Sequence, residues 1–136
     1  GNVIPIFANR ILKGQPLTVF GDGEQTRDFV NVRDVAAANI QAGVTPGVQG
    51  VFNIGSGTRI TINALAQMMQ AAVDQPVGIQ YAPPRQGDVR DSLADIRAAQ
   101  AGFGFAPGVA LAAGLGEYMA WIRQDPVTAR QLEQNR

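Results

Sequence analysis

The stretch Leu17-Thr18-Val19-Phe20-Gly21-Asp22-Gly23-Glu24-Gln25-Thr26-Arg27-Asp28-Phe29-Val30 decides how the rest of the chain is read. Residues 16–20 are a short run of apolar, β-branched and aromatic side chains, the pattern of a strand. Gly21-Asp22-Gly23 then punctuates the chain as a turn. Residues 28–32 read as extended again. The turn thus delivers Arg27 just ahead of a second extended segment. Asp22, Glu24, Thr26 and Asp28 alternate in the manner of a calcium loop. That chemistry is excluded, because the sixth position is Arg27 rather than glycine and the twelfth carries no glutamate.

Upstream, Val3, Phe7 and Ile11 recur at i, i+4 and i+8, with Ile4 and Ile6 widening the stripe. This predicts a helix over residues 3–12, stopped at Gly14. Downstream, Asp34 is expected to cap a helix through Val35, Ala38 and Ala42 that ends near Gly43. Residues 51–54 are expected to form a short strand, broken by Gly55-Ser56-Gly57. Thr61 reads as the N-cap of a helix with Leu65, Met68, Met69 and Ala72 on one face. Residues 77–81 read as a strand closed by Pro83-Pro84, and residues 85–91 as a polar loop. A short helix is expected within 92–101, a loop over 102–108, and a helix over 109–122 carrying Leu111, Leu115, Tyr118 and Ile122. From Asp125 the sequence turns polar and is expected to fray. The fold class is therefore mixed α/β (α+β), with about four short strands among four to five helices. Residues 1–124 form one domain and residues 125–136 a polar tail.

Composition narrows the function. The chain has 136 residues, 46% apolar and 16% charged, enough for one core. Basic and acidic residues number 11 each, which argues against general nucleic-acid or anionic-membrane binding but leaves room for a local anion site. Lys13 is the single lysine, so nearly all positive charge is arginine, whose planar fork suits phosphate. There is no cysteine and no histidine, so disulfides, thiolate nucleophiles, imidazole triads and the usual zinc sites are excluded. No apolar run reaches the roughly 18 residues of a membrane span. With no leader expected either, the default location is cytoplasmic.

Gly55-Ser56-Gly57 lies between an expected strand and an expected helix, as a dinucleotide fingerprint would. The third glycine is replaced by Ile60, and Asp74 comes too early for the ribose acid, so the motif reads as a plain turn. No phosphate-binding loop ending in Gly-Lys-Ser/Thr is present. Asp88 and Asp91 are a possible carboxylate pair but read as a solvated loop. In Pro83-Pro84-Arg85-Gln86-Gly87-Asp88-Val89-Arg90, two prolines stiffen the approach to Arg85, and an acid lies three residues on. An arginine beside a carboxylate can grip a diphosphate and accept ribose hydroxyl protons. It can equally be an inconsequential surface ion pair. The residues alone leave both readings open.

A family resemblance bears on that choice. The opening stretch, continued by Val32 and Asp34-Val35-Ala36, resembles the substrate-domain signature of the extended short-chain dehydrogenases/reductases. These are the NAD-dependent nucleotide-sugar epimerases and dehydratases, of which UDP-glucose 4-epimerase is the best-known type. Val51-Phe52-Asn53-Ile54-Gly55-Ser56-Gly57 resembles the next block. Pro84-Arg85-Gln86-Gly87-Asp88-Val89-Arg90 with Leu93-Ala94-Asp95 resembles a third. The resemblance implies that Arg27 and Arg85 contact a diphosphate and that Asp88 holds ribose hydroxyls. It places Thr18 and Phe20 at the base and Asn53 near the nucleotide or in support of its strand. Asp34 is implied to be a structural helix cap. Asn31 departs from the pattern, where members commonly carry an aromatic residue.

The family holds NAD in an amino-terminal Rossmann domain and works through a tyrosine with a lysine four residues on. Here Tyr81 is followed at that spacing by Arg85 and Tyr118 by Ile122, while Asn9 precedes Lys13. The chain is therefore expected to hold no catalytic residue, no cofactor and no metal of its own. It is read as the carboxyl-terminal, substrate-binding part of a member, truncated relative to it, with the Rossmann half missing. The expected partners are a nucleotide-diphosphate sugar and either a second copy or a Rossmann domain. Such a partner would cover the helix at Asp34 and the strand at 51–54. The alternatives are a free-standing, non-catalytic dimeric module and a subunit completed by a separate chain.

Overall fold

A computed structural model describes residues 2–124. In chain order its elements are α1 (Val3–Leu12), β1 (Leu17–Phe20), β2 (Thr26–Arg27), α2 (Val32–Val44), β3 (Ile60–Thr61), α3 (Ile62–Ala71), β4 (Ile79–Ala82), α4 (Arg97–Phe103) and α5 (Leu111–Gln124). The fold is mixed α/β, as the sequence pattern implies. The polar tail expected from Asp125 lies outside the described residues.

α1 forms where the apolar repeat puts it and buries Phe7, Ala8 and Ile11. Gly14 ends it at φ +64°, a left-handed value that glycine adopts without a Cβ clash. β1 then pairs with β4 in parallel, from Leu17 opposite Ile79 to Phe20 opposite Ala82. Strand alternation sends Leu17 and Val19 into the core and leaves Thr18 and Phe20 half-buried on the other face. β2 and β3 are a two-residue antiparallel pair, Thr26 opposite Thr61 and Arg27 opposite Ile60. Thr61 also caps α3, its Oγ1 accepting from the Ala64 N–H at 3.1 Å.

Two apolar clusters result. The larger joins α1, β1, α3 and α5 through Phe7, Ile11, Leu17, Leu65, Met69 and Met119 among its twelve buried members. The smaller has four: Ala38, Ile96, Ala99 and Phe105, with Phe52, Ile54 and Phe103 packed against them. Burying one large apolar side chain contributes about 1.5–3 kcal/mol, so the larger cluster dominates stability.

Several local expectations are corrected. Residues 28–32 are not one extended run, because α2 starts at Val32 with Asn31 as N-cap, its side chain accepting from the Arg33 N–H at 2.9 Å. Asn31 thus has a capping role that an aromatic side chain cannot supply. Asp34 is accordingly not the cap. It lies buried in the first turn of α2, where its carboxylate accepts from the backbone N–H groups of Gly108 (3.0 Å) and Val109 (3.1 Å). Those two residues are held outside the helix, so α5 begins at Leu111 rather than at residue 109. Residues 51–54 form no strand, since no ladder partner lies beside them among the described residues. Phe52 and Ile54 instead fill the smaller cluster. The short helix expected within 92–101 falls at Arg97–Phe103, ended by Gly104 at φ +72°. On α3, Ile62 and Ala66 join the buried face, whereas Ala72 lies past its end and is exposed.

Candidate functional site

The half-buried face of β1 opens onto a hollow of about 610 Å³. Leu17 and Gly21 donate their N–H groups to Gly78 and Ala82 on the β4 side, at 2.8 Å each. Strand geometry therefore turns the peptide groups of Thr18 and Phe20 away from β4. The Phe20 carbonyl accepts from Gln25 Nε2 at 2.7 Å. Gln25 is buried, and its Oε1 has no partner among the described residues.

β2 carries Arg27 to the same hollow. Its guanidinium donates to the Thr26 carbonyl at 2.7 Å and to Asp88 Oδ1 at 2.5 Å. Arg85 arrives from the loop after β4 and lies over the Phe20 ring, 3.8 Å from its centroid. Arg85 and Asp88 are the first and last residues of one β-turn, closed by the Asp88 N–H donating to the Arg85 carbonyl at 3.2 Å. Gly87 holds φ +81° at its third position, which a side chain would strain. The turn thus sets the spacing between the guanidinium and the carboxylate.

Five of the six residues expected at a binding site, Thr18, Phe20, Arg27, Arg85 and Asp88, line this hollow. Asn53 does not, because the strand meant to carry it does not form, and the side chain is exposed elsewhere. One cation was not foreseen. Arg10 lines the hollow and donates to the Pro16 carbonyl at 2.7 Å. Its signal was present: Val3, Ile6, Phe7 and Arg10 share one face of α1 at i, i+3, i+4 and i+7, and Arg10 is that face's only charge. Three guanidinium groups therefore meet one carboxylate, an excess that favours an anion.

The other motifs have internal uses. The Gly55-Ser56-Gly57 turn wraps the Asp28 carboxylate, which accepts from Ser56 N (2.8 Å), Ser56 Oγ (2.5 Å), Gly57 N (3.1 Å) and Ala94 N (3.2 Å). A Cβ at residue 55 would sit 2.5 Å from Ala94 Cβ and 2.7 Å from Asp28 Oδ2. The turn's donors are thus committed to an acid of the chain itself, and these residues do not fit a dinucleotide. The alternating oxygen-bearing side chains diverge likewise: Asp22 pairs with Arg90, Glu24 with Asn63, and Thr26 with Asp91. No cluster of three acids able to hold a metal occurs among the described residues. The Arg90 guanidinium and the Glu24 N–H pull the Asp22 carboxyl down to about 2.

Residues 1–55 match the model of the NAD dependent epimerase/dehydratase family. The chain is 37% identical over 121 residues to UDP-glucose 4-epimerase of Mycolicibacterium smegmatis, spanning 89% of this chain and 39% of that protein. It superimposes on the crystal structure of UDP-glucose 4-epimerase with UDP-glucose from Thermotoga maritima with a TM-score of 0.85 and 38% identity, over 91% of this chain and 40% of that one. An epimerase of Methanothermobacter thermautotrophicus gives a TM-score of 0.88 at 30% identity, over 96% and 40% of the two chains. The chain is thus a relative of the NAD-dependent epimerase/dehydratase family. Among such proteins the chain is similar to UDP-glucose 4-epimerases, and it spans about two fifths of the length of the relatives it matches. No helix among the described residues is long and apolar enough to cross a membrane.

Proposed function

We propose that this chain is the nucleotide-sugar-binding portion of an NAD-dependent epimerase or dehydratase and performs no chemistry alone. One observation carries the reading: Arg27 and Arg85, far apart in sequence, line one hollow together with Asp88. A diphosphate is the anion that two guanidinium forks grip best. As it takes up Arg27, the Asp88 carboxylate turns from that arginine to the ribose hydroxyls. The Phe20 ring, already beneath Arg85, packs on the base, and the outward peptide groups of Thr18 and Phe20 lie beside it. A UDP-sugar in the Thermotoga maritima structure supports this substrate class. The oxidation and re-reduction of the sugar, or its dehydration, belong to the portion of such enzymes that carries NAD and the tyrosine–lysine pair. Of the two tyrosines here, Tyr81 donates to Asn63 at 3.1 Å.

A second reading, a non-catalytic module that pairs with another copy, is favoured by one feature. Val32, Ile40 and Val44 form an exposed apolar stripe on α2, Val32 being 77% exposed, and Val51 is 97% exposed. Calorimetric titration with UDP-glucose and dTDP-glucose, with and without NAD, separates the two. We expect binding that does not need NAD and that Arg85→Ala weakens ~10-fold or more. Equal affinity of Arg85→Ala and the parent chain would overturn the proposed site. Absence of nucleotide-sugar binding, with a concentration-dependent dimer in sedimentation, would leave the second reading.

A further inference from the structure

The loop carrying Arg85 and Asp88 is tied down at both ends to a single turn on β1's far side. At its start the Gly21 N–H donates to the Ala82 carbonyl at 2.8 Å. At its end the Thr26 N–H donates to the Arg90 carbonyl at 2.9 Å, and the Ser92 N–H to the Thr26 carbonyl at 3.2 Å. Between these ties the Arg90 side chain crosses to Asp22 in a two-pronged fork, Nη1 to Oδ1 at 2.7 Å and Nη2 to Oδ2 at 3.0 Å.

Asp22 is itself fixed. Its Oδ1 accepts from the Glu24 N–H at 3.0 Å, and its neighbours Gly21 and Gly23 both hold φ +78°. Gly23 lies so close to Asn63 that a Cβ there would be 2.0 Å from Oδ1. Asn63, on α3, donates to the Asp22 carbonyl (3.0 Å) and to Glu24 Oε1 (2.6 Å), and accepts from Tyr81 on β4 (3.1 Å). The turn cannot shift without moving the start of α3 and the end of β4.

Resting on the nucleotide-sugar reading above, we propose that Asp22 and Arg90 are positioning residues: their fork fixes the height at which the 85–88 turn presents Arg85 and Asp88 to the ligand. The inner contact, Arg27 to Asp88, cannot serve this purpose, because both partners are called upon by the ligand. Neither Asp22 nor Arg90 lines the hollow, so a ligand there does not compete for their fork. Both side chains are more than half exposed, so the pair adds little to global stability. Its effect falls on the loop.

Amide hydrogen exchange on the whole chain without ligand tests this. Arg90→Gln and Asp22→Asn should each raise exchange at the Asp88 amide several-fold. The amides of α1, α3 and α5 and the melting temperature should stay as in the parent. Asp22→Asn retains an acceptor for the Glu24 N–H, so the turn itself survives. Arg90→Lys, which keeps charge but loses the fork, should fall between. With UDP-glucose, both single variants should bind several-fold more weakly, and the double variant no more weakly than either. Unchanged Asp88 exchange in both variants overturns the proposal, whatever the titrations give. So does a rise spread evenly over the molecule. If the parent chain takes no nucleotide sugar, the site reading fails while the exchange result still decides the fork.

Discussion

The two apolar clusters are built on different principles. The larger is enclosed by regular elements, with α1, α3 and α5 against β1, and its side chains come from helical and strand repeats. The smaller is assembled from loops around α2 and α4. The two are joined by carboxylates that accept backbone N–H groups: Asp28 gathers residues 56, 57 and 94, and Asp34 gathers 108 and 109. The hollow with its three arginines stands on the larger cluster, sharing Phe7, Val19 and Ile62 with it. The smaller cluster carries the helix whose outer stripe is bare. The candidate site and the exposed apolar stripe thus stand on different cores.

Substitutions can break that comparison. The largest effect is expected from Leu65→Ala, which empties the larger cluster and should cost about 3–5 kcal/mol in denaturant unfolding. A loss below about 1 kcal/mol would mean that this cluster does not dominate. Next, Asp28→Ala leaves four donors without their acceptor. It should cost about 2–3 kcal/mol, through faster amide exchange over residues 94–105, while α1 and α3 remain protected. Uniform loss of protection would show that the clusters are one unit. The smallest effect is expected at the stripe. Ile40→Lys should change unfolding by less than about 0.5 kcal/mol while weakening any self-association seen in sedimentation.

How far the sequence speaks for the structure differs between the same two regions. α1 and α3 were legible because long helices repeat their apolar residues with a period that survives without context, and Thr61 marks its cap locally. The pairing of β1 with β4 rests on register between distant segments, yet both strands could be placed. Residues 51–54 misled, because three apolar residues in four do not tell whether a ladder runs beside them, and here only Phe52 and Ile54 pack inward while Val51 and Asn53 are exposed. Asp34 misled for a related reason. An acid at a helix start is commonly the cap, and only the fold shows that Asn31 takes that place and that Asp34 reaches across to residue 108. At the hollow, Arg27, Arg85 and Asp88 were marked by glycine and proline punctuation together with the family resemblance. Arg10 was overlooked because it stands on a helix whose apolar stripe explains its neighbours, and one cation on such a stripe is easily taken for solvated surface.

The parallel match of Leu17 with Ile79 has a consequence for chain connectivity. The segment from Thr45 to Gly50 is an outlying bend between the paired strands, much of it exposed. Cleaving it would give one piece with α1, β1 and Arg27 and another with α3, β4, α5 and Arg85. The first piece would hold five buried members of the larger cluster with Arg10 and Arg27, and the second the other seven with Arg85. Expressed as two chains, they form a pair for reconstitution, in which the proposed anion binding, if the intact chain has it, reports that the halves have found each other.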